Sequence, residues 1–224
     1  MIQSVAPSDD QPYTNYSLHT FLLAMKDVMG DKGVTAILRS VGLSKFVDNL
    51  PPNNLDPGVN FSDYTRLNVA IEDFYGRAAK GMLQRNGRAT FKYGPKENQA
   101  AFMAAKAFLL LKKPADKLEF ILRQIANGFT EQANEPTTLR RDAPGDAWML
   151  SIAECAACWQ RHDPHCICSV NVGFLEEACA WAVGSSIHVE ETHCRGRGDS
   201  ACEYPSLSRR ANDQIHVGEK GSIR

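Results

Sequence analysis

Cysteine is missing from the first 154 residues of the 224-residue chain, and all seven cysteines fall between Cys155 and Cys202. An odd number packed into one segment argues against a disulfide framework and favours a metal. Long apolar runs are missing too. The greasiest stretch, AAFMAAKAFLLL (100–111), is broken by Lys106 and followed by Lys112 and Lys113, so no membrane span is predicted. The N-terminus, MIQSVAPSDDQPYTNYS, has neither a basic region nor an apolar core of the secretory kind. A cytoplasmic location with reduced thiols is therefore expected. Charge of one sign is not in excess, with a net value of -1, which predicts no nucleic-acid partner. No G-x-G-x-x-G follows a strand, so no dinucleotide fold is visible, and Gly196 and Gly198 belong to a turn.

What is present reads as an α+β protein. Residues 1–16 are polar and expected to be loose. SLHTFLLAMKDVMGDKGVTAILRSV (17–41) carries Leu18, Phe21, Leu22 and Met25 at helical spacing, then Val34, Ile37 and Leu38, with Gly30 and Gly33 between. That pattern predicts two short helices, and NLPPNNLDPG (49–58) a loop. Leu67, Ile71, Phe74, Ala78, Met82 and Leu83 form one stripe of a helix that Gly87 is expected to end, with Ser62 and Asp63 near its start. Gly76 and Gly81 are expected where another backbone packs close. TFKYG reads as a short extended piece, 97–112 as an apolar helix, and Pro114 as the start of the next. From about residue 137 strands take over: 137–141, a turn at Pro144-Gly145, then 147–153. SVNVGFLEEACAWAVG is a helix from Ser169 to Gly184. Ile187 and Val189 alternate with His188 and Glu190, and ACEYPSL is the partner strand across RGRGDS. The last residues, 208–224, read as a disordered tail.

The hairpin brings Cys194 and Cys202 together, and two thiolates are half of a tetrahedral zinc shell. Cys168 opens the helix that returns to this hairpin. A fourth ligand is open between Cys155, Cys158, Glu154, His162, His165 and Cys166. The competing readings are small buried apolar residues and an iron–sulfur cluster. Cys179 lies on a helix face with Ala and Val and reads as core. Aromatic residues offer a ligand pocket, with Tyr75, Phe102 and Trp148 as its candidate walls and Phe74, Phe108, Phe120, Trp159 and Trp181 as further members.

Cys168, Gly173-Phe174, Val189-x-Glu191-x-x-Cys194, Gly198-Asp199 and Cys202-Glu203-Tyr204 together resemble the end of the 4-vinyl reductase domain family. IEDFYGRAAKGMLQRNGRATFKYG (71–94) is similar to its helical part. The resemblance spans 65–207, behind an N-terminal helical segment at 17–64. It implies zinc held by Cys168, Cys194 and Cys202, and a pocket for a hydrophobic small molecule between helices and sheet. Two functions follow as expectations. One is a non-catalytic sensor or carrier of an aromatic or tetrapyrrole-like molecule, working as a homodimer. The alternative is a vinyl reductase of bacteriochlorophyll synthesis, or its accessory protein, acting on divinyl chlorophyllide.

Overall fold

The computed structural model describes residues 10–141 and 147–207. The expected turn at Pro144-Gly145 and the tail 208–224 lie outside these residues, as do residues 1–9.

Chain order is β1 (Pro12–Thr14), α1 (Asn15–Ser40), β2 (Pro57–Asn60), α2 (Phe61–Tyr75), α3 (Ala79–Glu97), α4 (Gln99–Leu110) and α5 (Pro114–Gln132). Then follow β3 (Thr137–Arg141), β4 (Trp148–Ile152), α6 (Ser169–Val183), β5 (His188–Val189) and β6 (Cys202–Leu207). The architecture is α+β, as the sequence predicts. The four later strands form one antiparallel sheet in the order β3-β4-β6-β5. Residues 12–14, within the stretch expected to be loose, pair with β2 instead. The hydroxyl of Thr14 accepts from the Ser17 amide and starts α1.

Local chemistry explains the helix ends. α1 buries Leu18, Phe21, Leu22 and Met25, breaks at Gly30 (φ 74°, ψ 163°), then buries Val34, Ile37 and Leu38. Two helical segments therefore exist, as the spacing predicts, with a glycine conformation as the joint. Asn60 and Asp63 make a reciprocal capping box at the start of α2. Pro114 occupies the first turn of α5, where its missing N–H costs nothing. α6 stops at Gly184 in the left-handed region (φ 85°).

The glycines of α3 correct the sequence reading. Gly76 is a break (φ 52°), and a Cβ at Gly81 would meet nothing within 4 Å. Gly87 does not end a helix, because α3 continues through it and through TFKYG, which is helical rather than extended. Gly87 is instead where α6 crosses. A Cβ there would sit 1.9 Å from the Val170 carbonyl oxygen, and a Cβ at Gly173 would sit 2.0 Å from that of Gln84. Two glycines facing each other let the backbones touch, so α3 and α6 form one rigid wall. A single apolar core runs from Tyr13 to Tyr204 and joins helices to sheet. No helix among the described residues is long and apolar enough to cross a membrane.

Candidate functional site

Two features adjoin at the inner end of this wall: a cysteine cluster and a cavity.

The cluster gathers Cys155, Cys158, Cys168, Cys194 and Cys202, every one of them buried. Cys155 and Cys158 flank a single tight turn after β4, Cys168 precedes α6, and Cys202 opens β6. Cys194 lies just past the bridge between His193 and Glu203, at the head of the Arg195–Arg197 turn. Sulfur–sulfur distances are 3.7 Å (Cys155–Cys168), 3.5 Å (Cys158–Cys202), 3.8 Å (Cys168–Cys194) and 3.9 Å (Cys168–Cys202). A disulfide needs about 2.05 Å, so these cysteines are unlinked thiols. They can hold a metal ion. The donors form two overlapping fours, Cys155, Cys158, Cys168 and Cys202, and Cys168, Glu191, Cys194 and Cys202, each with its ligand atoms within 4.8 Å of one another.

Glu191 is a further donor, outside the six residues that the sequence offers as a fourth ligand. It is the acid of V-x-E-x-x-C, two positions past Val189, so the signal was in the motif. Its Oε2 accepts the Cys168 amide at 2.8 Å, while Oε1 is buried without a hydrogen-bond partner. Burial, with Cys194 beside it, pushes its carboxyl up to about 9. The thiols are split in the same way. Hydrogen bonding from Cys158 and its neighbours holds Cys155 below the ordinary thiol value, whereas burial raises Cys168. So many acids in one dry site cannot all ionise without a cation to balance them.

The other expected ligands stand apart from both fours. His162 and His165 are exposed, and His165 pairs with Asp163 at 3.4 Å. Glu154 and Cys166 are half-buried and join neither group. Cys179 is buried in α6, and burial pushes its thiol up to about 12. Asp199, of the tripeptide Arg197-Gly198-Asp199, accepts the Cys194 amide at 2.8 Å and pairs with Arg197 at 2.7 Å. It shapes the turn beside the cluster.

The cavity, about 770 Å³, lies between α1, α3, α4, α5 and α6. Phe91, Phe102, Phe129 and Phe174 line it, with Tyr13, Tyr16 and Tyr64. Exposed Asn53, Asn54 and Leu55 rim it, while buried Glu135 and Asn171 lie at its floor. Of the three residues expected as walls, Phe102 lines the cavity and the other two lie elsewhere. Trp148 is on β4 under the guanidinium groups of Arg123 (5.6 Å) and Arg141 (5.8 Å). Tyr75, in the last turn of α2, packs edge-on to Phe74 at 5.2 Å. Of the further aromatics, Trp181 supports the wall through Phe91 and Phe102, and Trp159 packs on Phe61. Phe74 and Phe108 are exposed, and Phe120 lies beneath Phe108 at 5.5 Å.

Floor and cluster share hydrogen bonds. The Asn171 side-chain amide donates to Cys155 Sγ at 3.4 Å and to the Tyr204 hydroxyl at 3.1 Å. Glu135 accepts the Ala156 amide at 2.8 Å, inside the cysteine turn, and the Tyr13 hydroxyl at 3.3 Å. Burial pushes the Glu135 carboxyl up to about 8.

No protein-family model and no curated protein matches this sequence. Solved structures do. An H-NOX structure from work on heme distortion in that family aligns at a TM-score of 0.57 and 13% identity, covering 88% of this chain and 95% of the other. The fold is H-NOX-like. An H-NOX protein from S. oneidensis in the Fe(II)NO ligation state aligns at 0.54 and 11% identity, covering 84% and 97%. An oxygen-binding H-NOX domain related to soluble guanylate cyclases, in its oxygen complex, aligns at 0.51 and 16%, covering 84% and 89%. Identities this low show shared architecture alone. The 4-vinyl reductase resemblance gains no support from these comparisons.

Proposed function

We propose that this chain is a small-molecule-binding module of the sensory kind, whose cavity takes a neutral, largely apolar ligand and whose cysteine cluster holds zinc. The observation that carries this reading is the direct hydrogen-bonded link between cavity floor and cluster, through Asn171 to Cys155 and Glu135 to Ala156.

Ligand chemistry follows from the lining. Aromatic walls with a few polar groups at one end suit an aromatic molecule carrying one hydrogen-bonding group. Heme, which the H-NOX neighbours are described with, does not fit. Among the described residues, the lining contains no histidine, cysteine or methionine. Tyrosine can ligate heme iron, but burial drives the hydroxyls of Tyr13, Tyr16 and Tyr64 above their usual value, away from the phenolate that iron needs. No lysine or arginine lines the cavity either, so the carboxylates of a tetrapyrrole meet no cation. No lining residue favours vinyl reduction over binding.

Zinc follows from the sulfur spacing. A regular tetrahedron with Zn–S bonds of ~2.3 Å has edges of about 3.8 Å; four sulfur pairs stand 3.5 to 3.9 Å apart, and all ligand atoms of each four lie within 4.8 Å of one another. An iron–sulfur cluster places its own irons and sulfides between the thiolates and spreads them further. A site closed by four protein ligands is structural, because it leaves no position for an activated water.

The test uses the open space at Gly128, which lines the cavity and whose Cβ would meet nothing within 4 Å. Neutral aromatics such as phenol and naphthol are expected to raise the melting temperature saturably, and hemin is not. Gly128→Phe should take up part of the hollow, fold normally and weaken that response. Aromatic binding left unchanged by the substitution, or no response in the unmodified chain, overturns the reading.

A further inference from the structure

The cluster offers more donors than one tetrahedral ion can use. Four ligands close a zinc shell, yet five thiols and one carboxylate converge here. A single ion bound by Cys155, Cys158, Cys168 and Cys202 leaves Cys194 and Glu191 idle. A single ion bound by Cys168, Glu191, Cys194 and Cys202 leaves Cys155 and Cys158 idle. Each idle pair would stay protonated beside the thiolates of the other four.

We propose that the site holds two zinc ions that share the thiolates of Cys168 and Cys202. The inference rests on the zinc reading above and goes beyond it in number and connectivity. One ion takes Cys155 and Cys158 as its terminal ligands; the other takes Cys194 and Glu191. Both are then four-coordinate, and all six donors are used. The shared edge, Cys168–Cys202, is 3.9 Å, and each flank repeats the same spacing, with 3.7 Å to Cys155, 3.5 Å to Cys158 and 3.8 Å to Cys194. The six ligand atoms divide into two fours that have Cys168 and Cys202 in common.

Two further observations agree. The Oε1 atom of Glu191 is buried with no hydrogen-bond partner, while Oε2 is satisfied by the Cys168 amide. A buried orphan oxygen on a carboxylate that stands beside three thiols is explained by a cation. Two zinc ions carry four positive charges against six negative donors, leaving two. The residual charge is met by N–H groups: the Arg195 amide reaches Cys202 Sγ at 3.3 Å, and Asn171 reaches Cys155 Sγ at 3.4 Å. Binding releases the thiol and carboxyl protons to solvent and changes no oxidation state.

The test is the metal count of the full chain, purified under reductant, exchanged against zinc and weighed by native mass spectrometry. Two ions per chain are expected. One ion overturns the shared-edge proposal and leaves the zinc reading standing; none overturns both. Cys155→Ser with Cys158→Ser should bring the count from two to one, and retention of two in that variant refutes the assignment of terminal ligands. Should the variant fail to fold, cadmium-113 NMR of the unmodified chain decides. Two resonances coupled through bridging sulfur are expected, one from a four-sulfur and one from a three-sulfur site. A single resonance overturns the proposal.

Discussion

Replacing Gly87 with alanine tests the wall on which both site features hang. The added methyl would lie 1.9 Å from the Val170 carbonyl oxygen and 2.8 Å from the Phe174 amide nitrogen, where ordinary contact begins at 3.4 Å. Both atoms are backbone, so no side chain can rotate away. α3 and α6 must separate by about 1.5 Å, the difference between the last and first of these distances. Overpacking of this kind costs about 3 kcal/mol. Alanine returns ~1 kcal/mol through its better helix propensity. The net loss is therefore about 2 kcal/mol, a fall of roughly 4–8 °C in melting temperature for a chain of this size. Gly81→Ala is the control, since its methyl meets nothing within 4 Å in the same helix. It should hold or raise stability by up to ~1 kcal/mol. Urea denaturation of the two variants side by side reads the difference. If Gly87→Ala unfolds at or above the unmodified midpoint, the close crossing is wrong, and so is the rigid wall.

Three other outcomes follow from the site. Cys168→Ser, at the shared edge, should release metal and lower the unfolding midpoint, whereas Cys166→Ser, outside both fours, should stay within about 0.5 kcal/mol of the parent; colorimetric metal release and urea melts check this. Glu135, pushed up to about 8 by burial, keeps a proton in the folded chain that the unfolded chain gives up near its ordinary value. Stability should therefore fall as pH rises through that window, by up to ~1.4 kcal/mol per pH unit from this group, and Glu135→Gln should flatten the slope in melts run at stepped pH. Gly30→Ala forces a Cβ into a backbone with φ 74° and ψ 163°, a region essentially kept for glycine, and should cost about 1–3 kcal/mol, with no change in metal content.

How far the sequence carried these features depends on the range of the interaction involved. Cys155, Cys158, Cys168, Cys194 and Cys202 were legible because thiol spacing and a glycine hairpin are local, and ligation needs little beyond proximity. Glu191 was visible in V-x-E-x-x-C yet passed over, because a search for soft ligands weighs sulfur and imidazole above a carboxylate. The helix stripes were legible for the same local reason, down to the break at Gly30. Gly87 was not. Periodicity cannot separate a glycine that ends a helix from one that admits another backbone, and here the partner, Val170, lies 83 residues on, as the numbering gives. The cavity was the least legible part. Phe102 was picked out, but Phe91, Phe129 and Phe174 meet around a hollow only after five helices have packed.

A hollow of about 770 Å³ has to be held open by something other than contacts across it, because its lining atoms lack partners on one side. Two of its sides are fixed in different ways. The α3–α6 crossing is set by backbone on backbone at Gly87 and Gly173. The floor is set by the cysteine cluster, which grips Asn171 through Cys155 and Glu135 through the turn at Ala156. The opposite side is built differently. Its helix α4 exposes Met103, Phe108 and Leu110, with Leu111 just past its end, and reaches the core mainly through Phe102 and Leu109. A ligand that fills the hollow gains contacts with both kinds of wall, but only the loosely held one can move to improve them. Any rearrangement on binding should thus travel through α4 and α5, with the metal end as the fixed reference. Hydrogen exchange that slowed in α4 and left the cysteine turn unchanged would fit this division; the reverse pattern would place the moving part at the cluster instead.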